Sequence, residues 1–144
     1  MFKKILYPTD FSNVSEKALD YIEQLKDAGA KEIVVVHVID EKGIEAVSRY
    51  GAGSAATVIG AIEKEAREKG EQIKKRLWKS DFKVKVRIAR GVPLREILKA
   101  EEEEKVSAII IGSHGKTNLE QMFLGSVSEK VIRLSKSPVL IVKR

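Results

Sequence analysis

Several residue types and segment types are absent or scarce in this sequence, and each absence excludes a class of protein. There is no cysteine, so neither a disulfide framework nor a thiolate metal site exists. No apolar run reaches about 18 residues, and the first strand-like segment begins at once, so we expect no transmembrane helix and no signal peptide. Only two Asn and three Gln occur among many Lys and Glu, a balance typical of heat-adapted proteins. We predict a cytoplasmic protein with one domain, residues 1–144.

The net charge of +6 raises the question of a nucleic-acid partner, because basic proteins attract phosphate backbones. In the predicted helices, however, basic residues alternate with acidic ones, as in residues 63–69, and that pattern is typical of a solvated helix face. No basic and aromatic motif of the RRM type occurs. The sequence therefore lends little support to nucleic-acid binding.

Short apolar segments alternate with amphipathic segments along the whole chain. Such alternation predicts an α/β fold with a parallel sheet, right-handed crossovers and helices on both faces. Residues 41–53 interrupt the pattern, since they contain three glycines and little periodicity, and we predict a mobile loop there. The predicted strands are 2–7, 32–39, 82–89, 106–111 and 138–142, and helices are predicted from about residues 13, 55, 93 and 126.

The segment from Gly112 to Ser128 carries the clearest chemical signal. Gly112 and Gly115 follow a predicted buried strand, and nine residues later Gly125 and Ser126 open a predicted helix. Glycines let backbone amides approach a ligand closely, and free N–H groups at a helix start favour an anion. This strand, loop and helix start therefore predict a phosphate site.

Two well-known phosphate motifs do not fit. Gly115-Lys116-Thr117 resembles the end of a Walker A loop, but the glycine that this motif needs five positions earlier is Ile110, inside the strand. Residues 51–56 resemble a dinucleotide fingerprint, but they do not directly follow a strand. We therefore interpret the second segment as a loop.

Parallel sheets bind ligands beyond the carboxyl ends of their strands, where the strand order reverses. Asp10 follows the first predicted strand and could accept hydrogen bonds from ribose hydroxyls, or it could only cap the next helix, as Ser12 also could. Its position at the sheet edge favours a role in the site. Ser126, with Glu129 three residues later, is typical of a capping box, so Ser126 could be structural, ligand-binding or both.

The remaining polar candidates favour binding over catalysis. His114 could contact a phosphate or stay solvated, and Lys116 could reach the terminal phosphate or lie on an exposed loop. His37 lies within a predicted buried strand, so we predict a hydrogen-bonded core histidine. Asp10 and Asp40 could form a carboxylate pair, but no Ser-His-Asp or metal-ligand spacing surrounds them.

Taken together, these residues resemble the universal stress protein family. Its ATP-binding members carry Gly, two residues, Gly, nine residues, then Gly and Ser or Thr, and Gly112, Gly115, Gly125 and Ser126 match that spacing in full. The sequence shows no departure from the ATP-binding pattern. The resemblance extends along the whole chain through residues 4–12, 37–40, 91–93 and 138–142.

The resemblance implies a Rossmann-like α/β fold, an open five-stranded parallel sheet in the order 3-2-1-4-5, that binds ATP with Mg²⁺ or Mn²⁺ bridging the phosphates. By position, the Val38 backbone would contact the adenine edge, Pro8 and Thr9 would flank the base, and Asp10 and Gly112 would hold the ribose. The protein itself would supply no metal ligand. The phosphates would lie against Ser113, His114, Gly115, Lys116, Gly125, Ser126, Val127 and Ser128.

The resemblance also implies a homodimer and a regulatory role. Two copies would pair their last strands, and the chain would act as an ATP-dependent switch or stress-response factor with an unknown protein partner. The alternative is an ATP hydrolase or phosphotransferase activated by a partner, against which stands the lack of an identifiable general base. A nucleotide-free scaffold is disfavoured by the intact glycine motif. The strand residues concerned are Val139, Leu140, Ile141 and Val142.

Overall fold

The computed structural model describes residues 2–50, 55–113 and 125–143. Five strands form one parallel sheet in the order β3-β2-β1-β4-β5, which confirms the expected order and direction of the strands. The strands are β1 (Lys4–Pro8), β2 (Glu32–Asp40), β3 (Lys83–Gly91), β4 (Ala108–Gly112) and β5 (Val139–Val142).

Helices cover both faces of this sheet, as the alternating pattern predicts. A short 3₁₀ turn, Leu25–Ala28, extends the first helix and ends at Gly29, which has the left-handed φ of +99°. None of the helices in the described parts of the chain is long and apolar enough to cross a bilayer. The helices are α1 (Asn13–Gln24), α2 (Glu41–Tyr50), α3 (Ala55–Lys79), α4 (Pro93–Glu104) and α5 (Ser126–Leu134).

Two hydrophobic clusters hold the helices against the sheet. Ile5 faces α1 and α3, and its neighbour Leu6 faces α4 and α5, because successive side chains of a strand point to opposite faces. Both faces are buried, which explains why the central strands are apolar without alternation. Ile110 and Ile109 occupy the same two clusters in β4 and are fully buried, so truncation of either to Ala would cost about 2–5 kcal/mol.

The predicted loop at 41–53 is wrong for residues 41–50, which form α2. The carboxylate of Asp40 accepts a hydrogen bond of 3.0 Å from the Lys42 N–H at the start of this helix. Ile44 is only 9% exposed and packs with Ile39 and Ala66. Burial of Ile44 contributes roughly 2 kcal/mol and outweighs the penalty of roughly 1 kcal/mol for Gly43 within a helix. Residues 51–53 lie outside the described residues.

The structure confirms one suggested helix cap and displaces the other by one residue. Ser12 caps α1, since its side chain accepts from the Ser15 N–H at 3.3 Å. Gly125, not Ser126, occupies the cap position of α5, and within the described residues no side chain caps that helix. Glu129 does not turn back to form a capping box and instead pairs with Arg133 at 2.9 Å.

Candidate functional site

A cleft of about 630 Å³ opens at the carboxyl ends of β1, β2 and β4. The strand order reverses here, because β2 and β3 lie on one side of β1 while β4 and β5 lie on the other. Most of the predicted site residues line this one cleft. They are Pro8, Thr9, Asp10, Val38, Gly112, Gly125, Ser126, Val127 and Ser128.

Of the other four predicted residues, the structure describes only Ser113, which is not among the lining residues. Ser113 is buried, and its N–H donates to Val142 O at 2.8 Å while its carbonyl accepts from the Gly125 N–H at 2.6 Å. Ser113 therefore anchors the two ends of the glycine segment to β5 and α5. His114, Gly115 and Lys116 lie outside the described residues.

The loop between β1 and α1 presents Asp10 at the edge of the cleft. Asp10 Oδ1 accepts the Ser12 N–H at 2.9 Å, and Thr9 Oγ1 accepts the Phe11 N–H at 3.0 Å. Phe11 has a φ of +64°, a left-handed conformation that few non-glycine residues adopt. Asp10 thus stabilises its own loop while it lines the cleft, and the cap of α1 is Ser12 rather than Asp10.

A chain of hydroxyl groups connects this loop to β1 and to the first turn of α1. The Tyr7 phenol donates to Ser15 O at 2.5 Å, and Ser15 Oγ donates to Thr9 Oγ1 at 2.5 Å. Burial raises the pKa of Tyr7 above its usual value of 10.0. The phenol is therefore protonated at neutral pH and cannot act as a general base.

The backbone of Val38 faces the cleft beyond the end of β1. The Thr9 N–H donates to Val36 O at 2.9 Å, so the peptide groups of Val36 point towards β1. Alternate residues of a parallel strand direct their peptide groups to the same neighbour, and β1 ends at Pro8 opposite Val36. The Val38 N–H and C=O consequently point into the space where β1 has ended, as a donor and acceptor pair.

Apolar side chains form the walls around this pair. Ile44 and Ile62 line the cleft from α2 and α3, while Pro93 and Ile97 line it from α4. A flat ring with apolar faces and a polar edge, such as a purine, matches an apolar slot with backbone donors and acceptors at its base. The cleft thus has the chemical character of a base-binding pocket at this end.

The start of α5 provides backbone amides at the other end of the cleft. Ser126 and Val127 are the first helical residues, and their N–H groups lack intrahelical partners because helices leave their first amides unpaired. Ser128 Oγ donates to Gly112 O at 2.7 Å, which fixes the helix start against the end of β4. An anion would be favoured here by the amides and by the helix dipole.

Gly112 has a packing role that the sequence did not indicate. A Cβ at this position would lie 3.2 Å from Val14 Cγ1 and 3.4 Å from the Ser15 N atom. The glycine therefore lets the first turn of α1 approach the end of β4. That approach brings the loop with Asp10 and the start of α5 to the same cleft.

Sequence reasoning missed the residues that line the cleft from inside the core or from α2. Apolar residues near strand ends look like ordinary core residues, and α2 was predicted to be a loop. Only the positions directly after strand ends carried a readable signal. Ile39 and Asp40 were expected at this edge of the sheet from their place at the end of the second predicted strand. The missed residues are Ser15, Val36, His37, Gly43, Ile44, Ile62, Pro93, Ile97 and Ile111.

The described lining is poor in positive charge. Its ionisable side chains are Asp10, Asp40 and His37, so the described charge is acidic apart from the imidazole. One oxygen of each carboxylate accepts an amide of its own loop, the Ser12 N–H for Asp10 and the Lys42 N–H for Asp40. Within the described residues, no group of three His, Asp or Glu residues could hold a metal ion.

Comparison with known proteins gives a full-length match. A family model described as "Universal stress protein family" matches residues 1–143. Universal stress protein MJ0577 of Methanocaldococcus jannaschii is 44% identical over 100% of this chain and 96% of its own length. A solved structure of MJ0577 superposes with a TM-score of 0.90 at 48% identity, covering 100% of this chain and 97% of that one. Universal stress protein YxiE of Bacillus subtilis is 36% identical over 99% of this chain and 100% of its own length.

Two more distant structures share the fold and contain nucleotides. One is a universal stress protein in complex with cAMP, with a TM-score of 0.66, 23% identity and coverage of 99% of this chain and 97% of that one. The other is a universal stress protein family protein from Arabidopsis thaliana with AMP bound, with a TM-score of 0.66, 14% identity and coverage of 99% and 92%.

Proposed function

This chain belongs to the universal stress protein family, and we propose that its cleft binds ATP together with Mg²⁺ or Mn²⁺. One observation carries the proposal: an apolar slot with a backbone donor and acceptor at one end faces, at the other, a helix start that no described side chain caps. A base suits the first and a phosphate suits the second. The AMP and cAMP held by the two distant structures support a nucleotide as the ligand.

Within this proposal, each part of the nucleotide has its own contacts. The Val38 backbone reads the adenine edge, with Pro8 and Thr9 beside the base. Asp10 and Gly112 hold the ribose, because a carboxylate can accept hydrogen bonds from two neighbouring hydroxyls. The phosphates lie against Gly125, Ser126, Val127 and Ser128 and against the predicted residues Ser113, His114, Gly115 and Lys116.

A divalent cation fits the charge of the cleft. The described lining contributes two carboxylates, Asp10 and Asp40, and would repel a triphosphate that carries its full charge. Mg²⁺ or Mn²⁺ held mainly by the phosphates would neutralise part of that charge, since Mg²⁺ keeps several waters and binds substrate phosphates readily. We expect ATP affinity to fall when the divalent cation is chelated.

The cleft supports binding better than chemistry. Phosphoryl transfer needs an oriented nucleophile and concentrated positive charge at the terminal phosphate. The described lining at the start of α5 offers Ser126 and Ser128, and the Ser128 hydroxyl already donates to Gly112 O at 2.7 Å. The proposed function is therefore a nucleotide-dependent regulatory switch in the stress response, in which α2, as one wall of the cleft, reports the nucleotide to a protein partner.

The alternative function, an ATP hydrolase or phosphotransferase activated by a partner, predicts a different time course. Nucleotide released from the purified protein should be identified by mass, and ATP turnover should then be followed with Mg²⁺. We expect tight retention of ATP with less than about one turnover per minute, far below typical enzymes. Rapid multiple turnover that is lost in Asp10→Ala and is absent from a mock preparation would favour the enzyme.

The proposed assembly is a homodimer through β5, the unpaired edge of the sheet opposite β3. Leu140 on this strand is 44% exposed, and Leu134 on the neighbouring α5 is also exposed. An exposed apolar edge strand is a site for pairing with another chain. Leu140→Lys should therefore produce a monomer by light scattering. Val142 is only 3% exposed and lies in the core, so Val142→Lys would unfold the chain and cannot serve as this test.

A further inference from the structure

His37 is half-buried in β2, lines the cleft and carries its hydrogen bond to the loop that presents Asp10. The sequence predicts only a hydrogen-bonded core histidine at this position. We infer that His37 is a positioning residue of the nucleotide site, acting on the ligand through the loop from Thr9 to Ser12 and its carboxylate, Asp10. This inference rests on the proposed binding of ATP.

The first observation is the hydrogen bond between His37 Nδ1 and Thr9 O, at 2.8 Å. A backbone carbonyl can only accept, so Nδ1 must carry the hydrogen and the neutral imidazole is the Nδ1–H tautomer. Because β1 ends at Pro8, Thr9 lies just beyond the regular sheet pairing. The Thr9 N–H already donates to Val36 O, so the imidazole gives this residue a second attachment to β2, through its carbonyl.

The second observation is the stacking of the His37 ring on Phe11. The ring centroids are 4.3 Å apart with an interplanar angle of 30°. Phe11 is the residue with the left-handed φ of +64°, a conformation that disfavours a bulky side chain by roughly 1–2 kcal/mol. On the same aromatic ring, Lys69 Nζ of α3 lies 5.6 Å from the centroid. Side chains from β2 and α3 therefore stabilise a backbone conformation that Phe11 would otherwise avoid.

These two contacts flank Asp10 in the chain. His37 binds the carbonyl of the residue before Asp10 and stacks on the side chain of the residue after it. The direction of the Asp10 side chain follows from the backbone of this loop, whose turn is closed by the Asp10 Oδ1 bond to the Ser12 N–H at 2.9 Å. If the Asp10 carboxylate moves by a fraction of an ångström, its hydrogen bonds to the ribose weaken and the affinity for ATP falls. We therefore expect His37 to influence how strongly Asp10 binds the ribose.

Two substitutions separate the hydrogen bond from the stacking. His37→Asn keeps an N–H at the branch position of Nδ1 but loses the ring, whereas His37→Phe keeps a stacking ring but loses the donor. Calorimetric titration with Mg-ATP and with its 2′-deoxy and 3′-deoxy analogues should show a preference for ATP in the parent. We expect His37→Phe to weaken ATP about tenfold and to lose most of that preference, and His37→Asn to retain more of both.

A double-mutant cycle tests whether the effect passes through Asp10. In an Asp10→Ala background, His37→Phe should change ATP affinity by less than about twofold, because residues that act through one another are not additive. An equally large effect in that background, or an unchanged ribose preference in His37→Phe, would overturn the inference while leaving ATP binding intact. A parent that binds no ATP would instead reject the proposed function, and the inference with it.

A measurement on the unaltered protein tests the inference even if the variants do not fold. Nitrogen-15 NMR of the imidazole should report the Nδ1–H tautomer for His37 in the neutral form, with and without nucleotide. Free imidazole side chains favour the other tautomer, so this signature would not arise from a solvated ring. Observation of the Nε2–H tautomer at His37 would refute the contact with Thr9 O and overturn the inference.

Discussion

The carboxylate of Glu104, at the amino end of the sheet, pairs with basic side chains, whereas the carboxylates of Asp10 and Asp40, at the carboxyl end, accept amides of their own loops beside a cleft. At the amino end, Glu104 lies 3.3 Å from Lys4, 2.6 Å from Lys85 and 3.0 Å from Arg87. The Glu104 side chain is only 9% exposed. The hydrogen bond from Lys85 is the largest cause that lowers its pKa from 4.5 to about 2.

At the carboxyl end, Asp10 and Asp40 accept bonds of 2.9 Å and 3.0 Å from the amides of Ser12 and Lys42. The described contacts of Glu104 are with three basic side chains, whereas these described bonds of Asp10 and Asp40 are with backbone amides. The difference suggests a division of roles, in which carboxylates at one end stabilise the fold and carboxylates at the other end are placed for a ligand. Substitution of one carboxylate from each end tests this division.

The largest expected effect is on ligand affinity at the carboxyl end. Asp10→Ala should weaken Mg-ATP about 10- to 100-fold, since hydrogen bonds to a charged group contribute about 1.5–3 kcal/mol. Loss of the bond to the Ser12 amide should lower the free energy of unfolding by about 1 kcal/mol. Calorimetric titration and urea denaturation measure the two quantities. Unchanged affinity in a folded Asp10→Ala variant would remove Asp10 from the site.

The matched substitution at the amino end should lower stability and leave ATP affinity nearly unchanged. Glu104→Gln should lower the free energy of unfolding by about 1–3 kcal/mol, because three basic side chains lose a shared and mostly buried partner. Mg-ATP affinity should stay within about twofold of the parent. A folded Glu104→Gln variant with strongly impaired ATP binding would contradict the division between the two ends.

The same carboxylate predicts how stability depends on pH. The pKa of Glu104 in the folded chain, about 2, is depressed below the ordinary value of 4.5. Its contribution is therefore fully present above about pH 4.5 and is lost as the pH falls towards 2. Urea denaturation of the parent and of Glu104→Gln should show a stability difference of about 1–3 kcal/mol that narrows across this interval. A constant difference from pH 5 to pH 2 would mean that Glu104 does not titrate in this way.

Much of the fold could be predicted because its signals are local. Buried parallel strands are apolar on both faces, and runs such as Ile33–Val36 are visible without any knowledge of their neighbours. The strand order came from the family resemblance instead. Helix α2 was missed because its stability depends on Ile44 packing against Ile39 and Ala66, and the latter lies 22 residues further along the chain.

The candidate site was predicted in part, for a related physical reason. Residues at or just beyond strand ends, such as Gly112 and Asp10, could be located because parallel strands end at one edge of the sheet. Residues that reach the cleft from inside the core, such as Ile111, cannot be told from ordinary core residues. His37 belongs to the same class, because its contacts with Thr9 and Phe11 depend on where β1 ends beside β2.

The smallest expected effect is a null result at the amino end, and it needs no substitution. Trp78 is the only tryptophan in the sequence, is 70% exposed, and lies near the end of α3, just before β3 begins. That position is at the opposite end of the sheet from the cleft. Because indole emission responds to its immediate surroundings, saturating Mg-ATP should leave the emission maximum of Trp78 unchanged.

The control is N-acetyltryptophanamide with the same nucleotide, which corrects for absorption by ATP. A shift beyond that control would mean either that nucleotide binds near Trp78 or that binding rearranges the amino end, and either outcome would end the simple division between the two ends of the sheet.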